Sequence, residues 1–586
     1  MIYSSARFLV TSALVAAVAK AQSSFPSVVD TELDVTYEGL YRNNIEVFLG
    51  VRYGQDTSGQ NRFKPPQSYV PPTNSTIAAQ QYGPACPQWY GEGSWYPPYT
   101  LSNYTAISED CLTLNVARPN GVAADANLPV MVYVYGGSLI TGEASDATIL
   151  PDGLILQSIE NETPIIHVAM NYRLGFFGFA HTPELAAEGS LNVGYKDQRL
   201  AMEWVRDNIK AFGGDPERIT VYGQSSGASS IGIHLVSYGG ARPVPFQQAI
   251  LESGTFDVGI LANYTPVLTQ EIIEDLNCTS ALTNDTLACL RSLDSATVGN
   301  ASLARYWIEQ GINSGTLWLA AVDGDFLPDS PIDLVNTGRF ASNVTVMMGW
   351  MDNDLASLTN VSITTESEVH TALRNWDPDL TEADVEAMLA HYPLDAFSAN
   401  AAAGLSQQFY RLTQIYRDIV MACQPIWFGG ALADKNGADS VYLFEWNQTI
   451  LDPIFTYLYG QTGLGVGVFH ESEFAYVFGN LSHYDIDGWP FDPTAADYAL
   501  AQRAPRSYAE FVTSGKPTGG NDTFVGWTPA FANGNGNATG IFVVGGPSEG
   551  LSSLGGAEAA PAVAVQDLAD RCAFLTQEEW LVKFNI

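Results

Sequence analysis

Basic residues are scarce in this chain of 586: 26 lysines and arginines stand against 63 aspartates and glutamates, a net charge of −37. So acidic a surface repels the phosphates of nucleic acid and anionic membranes, so neither is an expected partner. Solubility alone is reason enough for the excess of acid. Cysteine is sparse too. The six (Cys86, Cys111, Cys278, Cys289, Cys423 and Cys572) include no CxxC pair, which argues against thiol-redox or zinc chemistry and for structural disulfides in an oxidising compartment. None of the seven histidines has HExxH spacing, so no metal is expected, and no cofactor motif is present. There is no internal repeat and no linker that would divide the chain. After the N-terminus no stretch approaches the ~20 consecutive apolar residues of a membrane span.

The N-terminus carries Arg7, an apolar run from Phe8 to Ala19, and the small-x-small triplet Ala19-Lys20-Ala21. This is the layout of a signal peptide over residues 1–21, cleaved after Ala21. Without Arg7 and Lys20, 24 basic residues face 63 acidic ones, a net charge near −39. Thirteen Asn-x-Ser/Thr sequons, at Asn74, Asn103, Asn161, Asn263, Asn277, Asn284, Asn300, Asn343, Asn360, Asn447, Asn480, Asn521 and Asn537, agree with export and predict N-linked glycans. The expected location is extracellular.

Strand-like and helix-like stretches alternate through the middle of the chain, the pattern of an α/β fold with a mainly parallel sheet. Leu128–Tyr135, Thr163–Asn171, Arg218–Tyr222 and Val344–Gly349 read as buried strands; Gln198–Phe212 reads as a helix burying Leu200, Trp204, Val205 and Ile209. The Gly- and Ala-rich stretch 533–565, with a short strand-like Ile541–Val544 inside it, reads as a long surface loop before the last helix.

The strand Arg218–Tyr222 runs into Gly223-Gln224-Ser225-Ser226-Gly227 and then a helix-compatible segment, Ala228–Val236. This is the layout of a nucleophile elbow: a serine on a sharp strand-to-helix turn, glycines where Cβ atoms would clash, and a helix N-terminus aimed where negative charge develops. A second match, Gly546-Pro547-Ser548-Glu549-Gly550, has Pro547 and a Leu-Ser-Ser-Leu-Gly-Gly tail in place of a helix start, and no histidine follows it. Ser548 is therefore assigned to a loop.

The wider segment Phe212–Gly227 resembles the signature of the type B carboxylesterases, the family of cholinesterases and many secreted fungal lipases. Glu109–Val116, Asn171–Phe179 and Asn192–Leu200 resemble further blocks in the family's order, and the likeness runs from about Val28 to the end. The resemblance implies an α/β-hydrolase fold, a large mixed, mostly parallel sheet flanked by helices, over 22–586 as one domain. It implies the disulfides Cys86–Cys111, Cys278–Cys289 and Cys423–Cys572. It assigns Ser225 as nucleophile, His470 in Gly465–Gly479 as general base with Glu473 behind it, and backbone N–H groups of Gly137, Ser138 and Ser226 as the oxyanion hole. Among the other histidines, His167 in a strand and His234 in a helix read as packing residues.

Three positions depart from the family pattern. Ser138 stands where a third glycine is usual. The triad acid falls on Asp354 in Trp350-Met-Asp-Asn-Asp-Leu-Ala356, where the family has Glu followed by Gly; Asp352 is the alternative two residues away. Gln224 stands beside the nucleophile where Glu is common, which removes one negative charge and with it much of the expectation of a cationic substrate. Trp89, Tyr90, Trp95, Tyr96 and Tyr99, in the 24-residue flap between Cys86 and Cys111, form either an aromatic wall or a packing anchor. The chemistry implied is hydrolysis of small-molecule or lipid esters through an acyl-enzyme. The alternatives are an interfacial triacylglycerol or sterol-ester lipase, and a non-catalytic binding protein on the same scaffold.

Overall fold

The computed structural model describes residues 25–88, 97–101, 106–282, 285–460 and 465–586. The expected signal peptide, four of the flap aromatics (Trp89, Tyr90, Trp95 and Tyr96) and the sequons at Asn103 and Asn284 lie outside the described residues.

Among the described residues fourteen strands follow in chain order: β1 (Ser27–Asp30), β2 (Val35–Glu38), β3 (Leu40–Arg42), β4 (Ile45–Arg52), β5 (Ser75–Ala78), β6 (Thr113–Pro119), β7 (Leu128–Val134), β8 (Ile166–Met170), β9 (Gly214–Gln224), β10 (Gln248–Glu252), β11 (Thr345–Met351), β12 (Val441–Trp446), β13 (Gly540–Val544) and β14 (Gly550–Ser553). Eleven form one sheet in the order β14-β13-β12-β11-β10-β9-β7-β8-β6-β4-β3, and β1, β2 and β5 form a small second one. From β8 to β13 all neighbours are parallel; β14 at one edge and β6, β4 and β3 at the other run antiparallel.

Every residue of β8, β10 and β12 is buried. Continuous rather than alternating burial is what a parallel sheet covered on both faces demands, and it explains runs such as Ile166-His-Val-Ala-Met170. Helices supply the cover: Ser226–Val236 packs on β9 and β10, Cys423–Asn436 on β11 and β12, Ala495–Ser514 on β7 and β9. The helix expected over Gln198–Phe212 starts earlier, at Val193, and ends in a tight 3-10 turn, Ile209–Phe212.

The expectation of a long loop over 533–565 is corrected. Gly540–Val544 is a buried strand paired in parallel with β12, and Gly550–Ser553 returns antiparallel to it, with Ser548 in the turn between them. The flanking glycines and alanines dominate the local composition, whereas the partner that stabilises Ile541–Val544 lies about a hundred residues upstream. The six cysteines pair as Cys86–Cys111, Cys278–Cys289 and Cys423–Cys572, the pairs the resemblance implies.

Candidate active site

The carboxyl ends of β7, β9, β10 and β11 lie side by side, with Gly223 opposite Val134, and Glu252 opposite both Gln224 and Gly349. In an open parallel sheet this rim is where ligands bind. Ser225 leaves β9 at φ 56°, ψ −131°, a conformation costly for any residue with a side chain. Two hydrogen bonds hold it there: its N–H donates to the Glu252 carbonyl at 2.8 Å, and its own carbonyl accepts the Ser229 N–H at 2.9 Å. A Cβ on Gly223 would lie 2.5 Å from the Gly227 carbonyl, and one on Gly227 2.1 Å from the Val134 carbonyl. Both glycines are therefore required by close approach. The helix Ser226–Val236 starts here, and its first N–H groups have no intrahelical acceptor.

Beyond β7 the loop Gly136-Gly137-Ser138 lies against this turn. A Cβ on Gly136 would meet the Gln224 carbonyl at 2.6 Å and Ser225 Cβ at 2.9 Å. Gly137, Ser138 and Leu139 all have positive φ, of 97°, 54° and 58°, so the serine in place of a third glycine takes up the left-handed backbone rather than relieving it. The Leu139 N–H anchors the loop on Ser226 Oγ at 3.2 Å, and the Ile140 N–H donates to the Gly137 carbonyl at 3.0 Å. Among the described residues the N–H groups of Gly137, Ser138 and Ser226 donate to no protein acceptor.

His470 is buried, with Nδ1 2.6 Å from Asp354 Oδ1, and its N–H donates to the Asp354 carbonyl at 2.9 Å. Asp354 is fully buried, and its other oxygen accepts from Ser253 Oγ at 2.7 Å and from the Met351 N–H at 2.9 Å. Asp352 turns elsewhere: its carboxylate accepts from Gln566 and its carbonyl from Arg417 and Gln414. With Nδ1–H committed to Asp354, the far ring nitrogen of His470 is an acceptor, and Gln224 Nε2 lies 3.2 Å from it. His167 and His234 are buried away from this site, desolvation pushing each imidazole down to about 3. His391 pairs with Asp570, His483 with a backbone carbonyl, and His370 with two glutamates.

Beneath His470 lies a group of buried carboxyls. Neither oxygen of Glu473 meets a donor, and burial with Glu252 nearby raises its carboxyl well above the usual range. Glu252 accepts from the hydroxyls of Tyr222 and Tyr508 and is also shifted up by burial. Low dielectric favours the protonated, neutral form of such groups. Sequence reasoning missed Ser253 and Glu252. Glu252 ends β10 and Ser253 follows it, and only the fold shows that Ser253 donates to Asp354 and that the Glu252 carbonyl holds the Ser225 turn.

A cavity of about 420 Å³ opens over Ser225, His470 and the Gly136–Ser138 loop. Tyr99, from the flap, lines it and meets Phe469 edge-on at 6.0 Å. A hydroxyl on a strained turn, an imidazole fixed by a buried acid, and free N–H groups at a helix start are the parts an acyl transfer requires.

A family model described as the carboxylesterase family matches residues 27–542. The chain belongs to the carboxylesterase family. It is 44% identical over 571 residues to a secreted lipase of Arthroderma benhamiae, with 97% of each chain covered, and 34% identical over 420 residues to lipase 5 of Diutina rugosa, covering 67% of this chain and 75% of that one. It is also 35% identical over 510 residues, 84% of each chain, to an inactive carboxylesterase-like protein, VdtD, of Byssochlamys spectabilis. The solved structure of Aspergillus niger EstA shares its fold, with a TM-score of 0.74 at 24% identity, covering 96% of this chain and 99% of that one. This carboxylesterase-family chain is thus an α/β-hydrolase and a carboxylic ester hydrolase. Among its described residues no helix is long and apolar enough to cross a membrane.

Proposed function

We propose that the chain cleaves carboxylic esters through an acyl-enzyme on Ser225. Ser225 Oγ attacks the ester carbonyl carbon as its proton passes to His470 Nε2, and Asp354 accepts the Nδ1–H, fixing the tautomer and stabilising the imidazolium. The oxyanion is held by the N–H groups of Gly137, Ser138 and Ser226. Collapse expels the alcohol oxygen, which takes the proton from His470. A water molecule, giving its proton to His470, then attacks the acyl-enzyme; the acid departs and Ser225 regains its hydrogen. Gln224 has to surrender Nε2 to the serine during this cycle, and until then its amide keeps the ring in the acceptor state. The observation that carries the reading is the 2.6 Å Asp354–His470 contact at the rim where Ser225 is held strained.

The test is hydrolysis of p-nitrophenyl esters, from acetate to palmitate, by the purified protein and its Ser225→Ala variant. Activity that falls by at least about a thousandfold in the variant supports the mechanism. A folded parent inactive on the whole series, and unlabelled by a fluorophosphonate, would favour the alternative of a non-catalytic binding protein on the same scaffold. A jump in rate above substrate solubility would mark an interfacial lipase.

We further propose that residues 22–586 act as one exported, glycosylated domain with no nucleic-acid partner. Eight sequon asparagines are exposed, whereas Asn161 and Asn480 are buried and spend their amide hydrogens on Thr163 and the Leu150 carbonyl. Glycans are therefore assigned to the exposed set.

A further inference from the structure

The cavity over Ser225 has chemically different ends. At one stands His470, which must hand a proton to the departing alcohol, so the alcohol part of an ester lies there. The acyl group stays on Ser225 and extends the other way, along Ser229 and Gly254, which line the cavity. Ser229 is one turn down the helix from Ser225, and a Cβ on Gly254 would lie 2.5 Å from the Ser225 carbonyl. The segment after β10 therefore forms the wall against which an acyl group rests. Asp257, on that segment, also lines the cavity.

Asp257 is only 8% exposed, is paired with no lysine or arginine among the described residues, and its Oδ2 has no hydrogen-bond donor. Its neighbours offer little. Asn313 has committed its amide hydrogens to the carbonyls of Val258 at 2.8 Å and Thr316 at 2.9 Å. Burial pushes the Asp257 carboxyl up to about 6, a hydrogen bond from the Ser229 hydroxyl acting against that rise, and Oδ2 is left as an acceptor without a donor. A buried polar group in that state costs free energy until something supplies the missing hydrogen bond. Trp376 and Tyr416, which also line the cavity, meet at a tilt of 57° with ring centroids 5.3 Å apart and offer apolar aromatic surface to a ring-bearing acyl group.

We propose that Asp257 selects esters whose acyl group carries a hydrogen-bond donor, a hydroxyl or an ammonium, received by its unpartnered oxygen. This rests on the ester-hydrolase reading of Ser225 and names the substrate class for that site.

The experiment compares p-nitrophenyl 3-phenylpropanoate with its 4-hydroxy and 4-aminomethyl ring analogues at pH 7.5. It uses the parent, Asp257→Leu and Asp257→Asn, with each preparation normalised by fluorophosphonate titration of Ser225 so that only folded sites count. The parent is expected to favour at least one donor-bearing ester by roughly tenfold or more in kcat/KM, as one hydrogen bond to a charged acceptor implies. In Asp257→Leu that ratio falls to near one, and in Asp257→Asn the ammonium arm falls with it. Which arm is preferred in the parent tells hydroxyl from ammonium. A parent that hydrolyses all three equally, or a preference that survives both variants, overturns the inference while leaving the esterase reading intact. A preference expressed only when the donor is moved to the alcohol overturns the acyl-side assignment. Failure to hydrolyse even the unsubstituted ester removes the ester-hydrolase reading, and this inference with it.

Discussion

Asp352 and Asp354 sit two residues apart on one turn and face opposite chemistry. Asp354 is fully buried against His470, with Ser253 and the Met351 N–H on its second oxygen; Asp352 faces Gln566, and burial raises its carboxyl. Asp354→Asn should keep the volume but give His470 Nδ1 a wrong partner, lowering kcat on p-nitrophenyl butyrate by on the order of 10³–10⁴. Asp352→Asn should cost less than about tenfold, since it touches no group that moves a proton. Equal losses in the two variants would refute the division of roles. The motif context made Ser225 and His470 legible in the sequence, because the turn and the glycines around them are local requirements. The resemblance put the acid on Asp354 and left Asp352 as the alternative, because a register of two residues in a loop is set by what packs on it. Ser253 and Leu139 were invisible for the same reason: each acts through a contact made across the fold.

At the scale of elements, the contact between β7 and the helix Ser226–Val236 sets how close the Gly136–Ser138 loop comes to Ser225. A Cβ on Gly227 would lie 2.1 Å from the Val134 carbonyl and 2.8 Å from that of Tyr135. Since that neighbour is strand backbone and not a flexible side-chain tip, the helix would have to move away. Gly227→Ala is expected to destabilise by about 1–3 kcal/mol or more and to abolish ester hydrolysis, read by thermal melting and by kcat/KM. Gly299→Ala is the control: it lies in the helix Ser295–Glu309 with no atom within 4 Å of the added Cβ. Helix propensity alone should make it neutral to stabilising by up to about 1 kcal/mol. A Gly227→Ala protein as stable and active as the Gly299→Ala one would show that this approach is not what positions the site. Strands with continuous apolar runs, β7, β8 and β11, were readable from the sequence because double-sided burial leaves its mark on every residue. The strand-like run of β13 was visible, but its place in the sheet was not, since its neighbours in sequence are loop-like and its stabilising partner, β12, is remote.

At the scale of the molecule, buried titratable groups and net charge act together on stability. Burial raises the carboxyls of Asp257 and Asp377 to about 6, and those of Glu252, Glu445, Glu471 and Glu473 above the usual 4.5. A group with a raised folded value binds its proton more tightly when folded, so its contribution is fully present below the unfolded value and is lost as pH rises through the folded one. His167 and His234 act in the opposite sense. Their folded values, about 3 against an ordinary 6.5, make the folded state reject protons that the unfolded chain accepts, so stability is lost as pH falls from 6.5 towards 3. Each group acts at up to about 1.4 kcal/mol per pH unit within its window. Glu252, raised to about 7, and Glu445, raised to about 8, titrate differentially from the alkaline side; nearer pH 6 Asp257 and Asp377 join them, and below 6.5 the two histidines act against them. Below about 4 the raised carboxyls are protonated in both states, while the histidines and the carboxyls held low by hydrogen bonds, Glu368 at about 2 among them, withdraw stability. The net charge of −37 adds a repulsion that vanishes near the isoelectric point of about 4.3. The protein should therefore be most stable at mildly acidic pH, with a higher apparent melting temperature at pH 5 than at pH 8 and a steep fall below pH 4, read by circular dichroism at one scan rate and fixed ionic strength. A melting temperature that instead climbs steadily from pH 5 to pH 8 would mean that these carboxyls are ionised in the folded protein, and that the region beneath His470 is wetter than its burial implies.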